Sequence, residues 1–377
     1  MPPVYLDCNA TTPLDPEVRE TMLHYFDEDF GNEGSRTHEF GARAKQGVQK
    51  ARDQIAAVVA AKRDEVVFTS GATESDNLAI LGLRLTGEEL GKRHIITTAI
   101  EHKAVLESCD VLERQGFEVT RLPIGQGGFL DPDMVKTALR RDTLLVSIMQ
   151  VNNETGVRQP LNEIARTLND HPAYFHTDAA QGFGKEFETL CNPRIDLISI
   201  SGHKIYAPKG IGALVIRRRG YGRPPLQPLG YGGGQERGLR SGTLPVPLIA
   251  ALGKAAEVSF RDRAKRQQAC QRIRENALAA LMPLNPRLTG EQSLVMDHVL
   301  NFGFPGLDSE ALIVALKDLV AISNGSACTS SRYMPSHVLK AMGMNDDDAN
   351  SCVRISWCHL TQEVDWVAIA DRIRSIQ

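Results

Sequence analysis

DLISISGHKIYAPKGIGALVIR, residues 196–217, decides the fold. Two short apolar runs, 196–201 and 212–217, flank a turn rich in Gly and Pro and read as two strands. Ser201, His203 and Lys204 are packed together where the first strand ends. A lysine buried at such a place must be neutralised, paired or used covalently. The covalent use is a Schiff base to an aldehyde cofactor.

Outward from this stretch the same pattern repeats. EVVFTS (65–70), HIITTA (94–99), FEVTRL (117–122), TLLVSIM (143–149) and AYFHTD (173–178) are further candidate strands. Helical patterns at 75–85 and 103–115 lie between them. Strand–helix alternation predicts an α/β domain with a mainly parallel sheet. Residues 218–245, rich in Gly and Pro, read as loops. A long helical pattern follows at 246–281, and the remainder mixes strands and helices in a second, smaller α+β domain.

Ligands of open α/β sheets sit at the carboxyl ends of the strands, so the residues there carry the argument. SGATESDN (70–77) puts Ala72, Thr73 and the next amides at a helix N-terminus, where free N–H groups and the helix dipole favour a phosphate. An ordinary threonine-capped helix start accounts for it equally well. EHKAV (101–105) places His102 at a strand end, where a lone histidine is more often structural. QVNNETG (150–156) clusters Asn152, Asn153 and Glu154. DAAQ (178–181) supplies Asp178 and Gln181, and a buried carboxylate needs a charged or strongly hydrogen-bonding partner. One cofactor accounts for the set. Pyridoxal phosphate needs a Schiff-base lysine (Lys204), an acid for its ring nitrogen (Asp178), a phosphate cup (Ala72, Thr73, Ser201, His203) and a group stacked on its ring (His102).

The 377 residues are 42% hydrophobic and 24% charged, with net charge −3, a balance that favours neither nucleic acid nor an anionic membrane surface. No apolar run is long enough to span a bilayer, and MPPVYLDCNATT has neither the basic nor the apolar region of a signal peptide. Seven cysteines at irregular spacing, with no C-x-x-C, fit a reducing cytoplasm. All but one read as small buried hydrophobes. The exception is Cys328, in NGSACTSSRYMPS (324–336), among small residues on what reads as a loop. Cys358 and His359 with Cys352 fall short of the four ligands of a structural metal site, so no metal is expected. RRRGYGR (217–223) reads as a solvated loop or a surface for an acidic partner. No G-x-G-x-x-G opens a helix after a strand, which argues against a nicotinamide dehydrogenase.

The motifs YLDCNATTPLDPEV, FGNEGSRTHEFG, FTSGATESDNLAI, EHKAVL, VNNETG, SGHKIYAPKGIGAL, GGGQERGLRSGT, GSACTS and VRIS together span nearly the whole chain. In combination they resemble the cysteine desulfurases of the class V aminotransferase superfamily, fold type I pyridoxal-phosphate enzymes. The resemblance implies a large cofactor domain, 13–260, and a small domain, 1–12 with 261–377, carrying the cysteine loop. It implies that L-cysteine displaces Lys204 from the cofactor, that Lys204 shuttles protons, and that the Cys328 thiolate takes the substrate sulfur as a persulfide and releases alanine. A small-residue loop gives Cys328 the reach for this. His102 is then the candidate for proton transfer. Asn153, Arg354 and Asn32 would serve the substrate, Arg354 as a planar fork for its carboxylate. Gln181 would bond the cofactor's phenolic oxygen, and Thr243 would reach the phosphate of a neighbouring subunit's cofactor in a homodimer. A sulfur-acceptor protein is the implied partner, with no direct contact to nucleic acid or membrane.

Within that family the chain resembles the branch with a long cysteine loop, since R-x-G-H-H-C is absent. RISWCHL (354–360) replaces a small, Gly-containing stretch, GNEGSRTH (31–38) replaces GNPASRSH, and little follows the last helix. These departures resemble the desulfurases serving DNA phosphorothioation. General sulfur supply for iron–sulfur clusters or tRNA stays open.

Overall fold

The computed structural model describes residues 2–325 and 335–377. Cys328 lies outside the described residues. The described strands are β1 (Val4–Tyr5), β2 (Val66–Thr69), β3 (His94–Thr98), β4 (Glu118–Leu122), β5 (Thr143–Ser147), β6 (Tyr174–Asp178), β7 (Leu197–Ser201), β8 (Gly212–Ile216), β9 (Arg287–Leu288), β10 (Val299–Gly303), β11 (Val320–Ala321) and β12 (Cys352–Ser356).

All seven strands expected between 65 and 217 form one sheet, in the order β2-β8-β7-β6-β5-β3-β4. Only β8 runs against the rest; the remaining pairs are parallel. Six carboxyl ends therefore open on one edge. The strand runs are apolar without alternation because both faces are covered. Phe68, Ile96, Val146, Phe175 and Ile198 pack on one side, and Val67, Ile95, Leu145, Leu197 and Leu214 on the other, with the period of two that a strand imposes. Gly212 has a steric reason: a Cβ there would sit 2.4 Å from the Ile200 carbonyl oxygen and 2.6 Å from Gly71 Cα. The turn after β2 thus lies directly on the start of β8.

Two helix expectations need correction. The pattern at 75–85 is a helix at Ala72–Leu81 followed by a separate one at Arg84–Leu90; the chain turns at Gly82, whose carbonyl takes the Gln227 N–H at 2.8 Å. The long pattern at 246–281 is two helices, Val246–Arg261 and Arg263–Leu281, parted at Asp262. They serve different cores. Ile249 and Leu252 of the first join the large-sheet cluster. Cys270, Ala277 and Leu281 of the second join Leu6, Phe302, Val353 and Trp357. That second core lies on the antiparallel sheet β12-β10-β9, beside the parallel pair β1-β11.

The basic run is not a solvated loop at its start. Arg217 is 5% exposed. Its guanidinium donates to the carbonyls of Val59, Leu190, Asn192 and Ile195, tying two connecting segments to the end of β8. Arg219 forks onto buried Asp196, and Arg218 and Arg223 share Asp64. An arginine fork can satisfy several buried acceptors at once, which turns a charged run into a clasp. Arg217→Met is expected to destabilise the fold by roughly 3–4 kcal/mol, since it strands those carbonyls; denaturant midpoints at unchanged slope would measure it. Cys191 also departs from expectation. It is exposed, at the end of the surface turn Thr189–Cys191, while Cys8, Cys109, Cys270, Cys352 and Cys358 are buried.

Candidate active site

β7 ends at Ser201 and the chain enters the tight turn Gly202–Lys204, which presents Lys204 at the open edge of the sheet. Lys204 Nζ donates to the carbonyls of Asn9 (2.6 Å) and Ala10 (2.8 Å). The neighbouring strand β6 ends at Asp178, 5% exposed, whose carboxylate accepts the Ala180 N–H at 2.8 Å. Burial pushes its pKa up to about 6, with Asp76 adding to the rise and His102 opposing it. Gln181 Nε2 donates to the same Asn9 carbonyl at 2.9 Å, and its Oε1 is buried without a partner among the described residues.

His102 caps the helix Lys103–Arg114, its Nδ1 accepting the Ala104 N–H at 3.1 Å. That bond assigns the ring proton to Nε2, so the free ring nitrogen is a donor. Burial lowers its pKa; Asp178 opposes the shift and Lys204 adds to it. His203, lowered to about 4 by burial and then by Lys204, is also neutral, with Nδ1 3.2 Å from Thr11 Oγ1. Across the edge, the helix Ala72–Leu81 begins after Gly71 with no side-chain cap. The first amides, at Ala72 and Thr73, are therefore open to an anion.

One substrate-side residue comes from the other sheet. Arg354, on β12 and 4% exposed, donates Nη2 to Asp7 Oδ1 at 2.6 Å and Nη1 to the Asn153 carbonyl at 2.9 Å. Its buried Nε is without a partner among the described residues. Glu154 accepts the Ser336 hydroxyl, and a Cβ on Gly325 would lie 3.2 Å from Glu154 Oε2. The described residues on both sides of 326–334 thus meet at one buried carboxyl.

Two predicted residues stand apart in this chain. Asn32 is exposed and its Oδ1 accepts the Gly34 N–H at 2.8 Å. Thr243 is exposed as well. Conversely, Asn9 was not singled out. It is 2% exposed and joins Lys204 and Gln181 through its carbonyl and Asn153 through its Nδ2. Asp7, the partner of Arg354, was missed too. Both lie in YLDCNATTPLDPEV, so the motif was the available signal.

The residues fit pyridoxal phosphate. Lys204 is half-buried at the edge, a carboxylate with spare acceptor capacity lies beside it, and an uncapped helix start faces the end of β7. The profile described as Aminotransferase class-V matches residues 4–366. The chain belongs to this family. Like other class-V members it is a pyridoxal-phosphate enzyme, and it is a cysteine desulfurase. It is 46% identical over 369 residues to the cysteine desulfurase IscS of Rickettsia bellii, covering 97% of this chain and 89% of that one. Among solved structures it is similar to DndA from Streptomyces lividans, at 51% identity and a TM-score of 0.83, over 94% of this chain and 99% of that one. It is also similar to SspA solved in complex with cysteine, at 36% identity and a TM-score of 0.82, over 95% of this chain and 100% of that one. Among the described residues of this class-V member, no helix is long and apolar enough to cross a membrane.

Proposed function

We propose that this enzyme takes sulfur from L-cysteine onto Cys328 and passes it to an acceptor protein serving DNA phosphorothioation. The observation that carries the site assignment is the convergence of Lys204, Gln181, Asn153 and Arg354 on the segment Asp7–Ala10. Bound pyridoxal phosphate supplies the electron sink that lets bonds next to the substrate's amine break. Lys204 tethers it and afterwards moves protons. Ala72, Thr73, Ser201 and His203 hold its phosphate, Asp178 its ring nitrogen and Gln181 its phenolic oxygen. Arg354 and Asn153 orient the substrate carboxylate, with Arg354 released from Asp7. His102, whose free ring nitrogen carries a proton, acts as a donor. The Cys328 thiolate attacks the substrate sulfur, the carbon–sulfur bond breaks and the carbon is protonated. L-cysteine and the enzyme thiol thus become L-alanine and an enzyme persulfide, with no outside oxidant.

We assign the small domain to 1–12 and 261–377 and the large one to 13–260; the change of core partner at Asp262 supports this division. Thr243, exposed here, reaches the cofactor phosphate of a second copy in a homodimer, Asn32 serves the substrate, and the enzyme works in the cytoplasm. The likeness to DndA supports the phosphorothioation branch; the IscS relatives support general sulfur supply as the second reading.

The testing experiment follows alanine and sulfide from L-cysteine with purified enzyme. Cys328→Ala is expected to keep bound pyridoxal phosphate and lose turnover by at least ~10^3-fold. Alanine release at the wild-type rate would overturn the persulfide reading. Labelled sulfur passing from Cys328 to an iron–sulfur scaffold but not to a phosphorothioation partner would overturn the acceptor.

A further inference from the structure

Behind Asp178, away from the open edge, lies a second carboxyl that the reaction does not use. Asp76 sits on the helix Ala72–Leu81, 0% exposed, with both oxygens lacking a hydrogen-bond partner among the described residues. Its polar neighbours are the Ser199 hydroxyl and His176 Nε2, the latter 3.5 Å away. His176 stands two residues before Asp178 on β6 and so shares its face of the sheet. Its ring is fixed from both sides, Nδ1 by Ser147 Oγ at 2.8 Å and Nε2 by Ser199 Oγ at 3.0 Å. Ser199 lies opposite Asp178 in the β6–β7 register.

Asp76 and Asp178 feel each other's charge, and two interacting buried carboxyls resist ionising together. Their surroundings decide which one keeps the proton. Asp178 has the Ala180 N–H as a donor and feels His102 as a favourable neighbour. Among the described residues Asp76 faces no backbone donor and no lysine or arginine ion pair, and fully buried His176 is pushed down to about 4 and stays neutral. Burial accordingly raises Asp76 to about 7. The third acid nearby, Glu101, has its own donors in Thr98 Oγ1 and the Met149 N–H, and burial raises it to about 8.

We propose that Asp76 is a positioning residue that holds a proton. As a neutral acid it completes, with Ser199 and His176, an uncharged polar wall, so that the negative charge on this face of the sheet rests on Asp178. The inference rests on Asp178 being the partner of the cofactor's ring nitrogen. It explains why a carboxyl is tolerated at a site with no cation among the described residues: a neutral acid has the shape and donor of an amide.

The test uses the full-length protein with Asp76→Asn and Asp76→Ala. In the cofactor-free protein at neutral pH, the infrared difference spectrum of wild type against Asp76→Asn is expected to show loss of a neutral carboxylic-acid carbonyl band. Asp76→Asn is expected to bind pyridoxal phosphate within about threefold of wild type, with the pH midpoint of its visible absorption unmoved. Asp76→Ala is expected to weaken binding about tenfold or more and to shift that midpoint, because Ser199 and His176 lose their polar neighbour. If the band does not change, or Asn disturbs the midpoint as much as Ala, or neither substitution does anything, the proposal is wrong. Should Asp76→Ala fail to fold, Ser199→Ala is read in its place against the same criteria. Asp178→Asn is the control for the underlying reading. If it leaves affinity and absorption unchanged, that reading fails, while the infrared result still reports the proton on Asp76.

Discussion

Lys204→Ala is expected to lose alanine production by ~10^3-fold or more, and to lose the visible absorption that marks covalently held pyridoxal phosphate. The fold should survive. Lys204 is only half-buried, and the acceptors it leaves, the carbonyls of Asn9 and Ala10, keep other or solvent contacts: Gln181 Nε2 still bonds the first. Circular dichroism and the denaturation midpoint would therefore stay close to wild type while turnover collapses. An added primary amine that enters the site and restores part of the rate would locate the loss in the missing amine. A variant that still turns over cysteine at more than a tenth of the wild-type rate would remove Lys204 from the mechanism.

The second large effect separates stability from activity. Asp178→Asn is expected to cut turnover by about 10^2- to 10^3-fold, the size typical of losing a fixed charge that stabilises a developing opposite charge. The same change should stabilise the cofactor-free protein. Burial raises the Asp178 pKa from 3.8 to about 6. The native state then holds a proton that the unfolded chain has released, and stability falls as pH rises between those two values. Above about pH 6 the wild type carries the full penalty, and asparagine removes it, a gain on the order of 1–3 kcal/mol. Below about pH 4 the two proteins should converge. Thermal melts of both proteins without pyridoxal phosphate, at pH 4 and pH 7.5, would measure it. Equal melting behaviour at the higher pH would contradict a strained buried carboxylate.

Why were some parts of this site legible in the sequence and others not? Asp178, Gln181, Ser201 and Lys204 follow apolar runs that can only be strands, and a parallel sheet brings strand ends to one edge whatever the loop lengths. Nothing of that kind flags Asn9 or Asp7. The strand before them is two residues long, and its pairing with β11 leaves no periodic trace. Arg217 misled because a run of arginines looks solvated, while the segments around the end of β8 offer four inward carbonyls. Asp76 sat in a helix start, where an acid is ordinary; only the packing of that helix on His176 and Ser199 makes it unusual. The break at Asp262 was hidden because two helices serving different cores continued one helical pattern.

The segment that cages Lys204 has a consequence for how the molecule is made. Asn9 N–H bonds Ser356 Oγ at 2.9 Å across 347 positions of sequence, and the Ser356 N–H returns to the Leu6 carbonyl at 2.8 Å. Residues 6 and 9 must therefore wait for Ser356 to be made. At ordinary synthesis speeds that interval is roughly 20 to 70 s. The large sheet, with Lys204 and Asp178 already in it, is complete long before β12 exists. During that time the nascent chain carries a reactive amine whose carbonyl cage has not yet been pinned, and full retention of the cofactor becomes an event that follows the synthesis of β12.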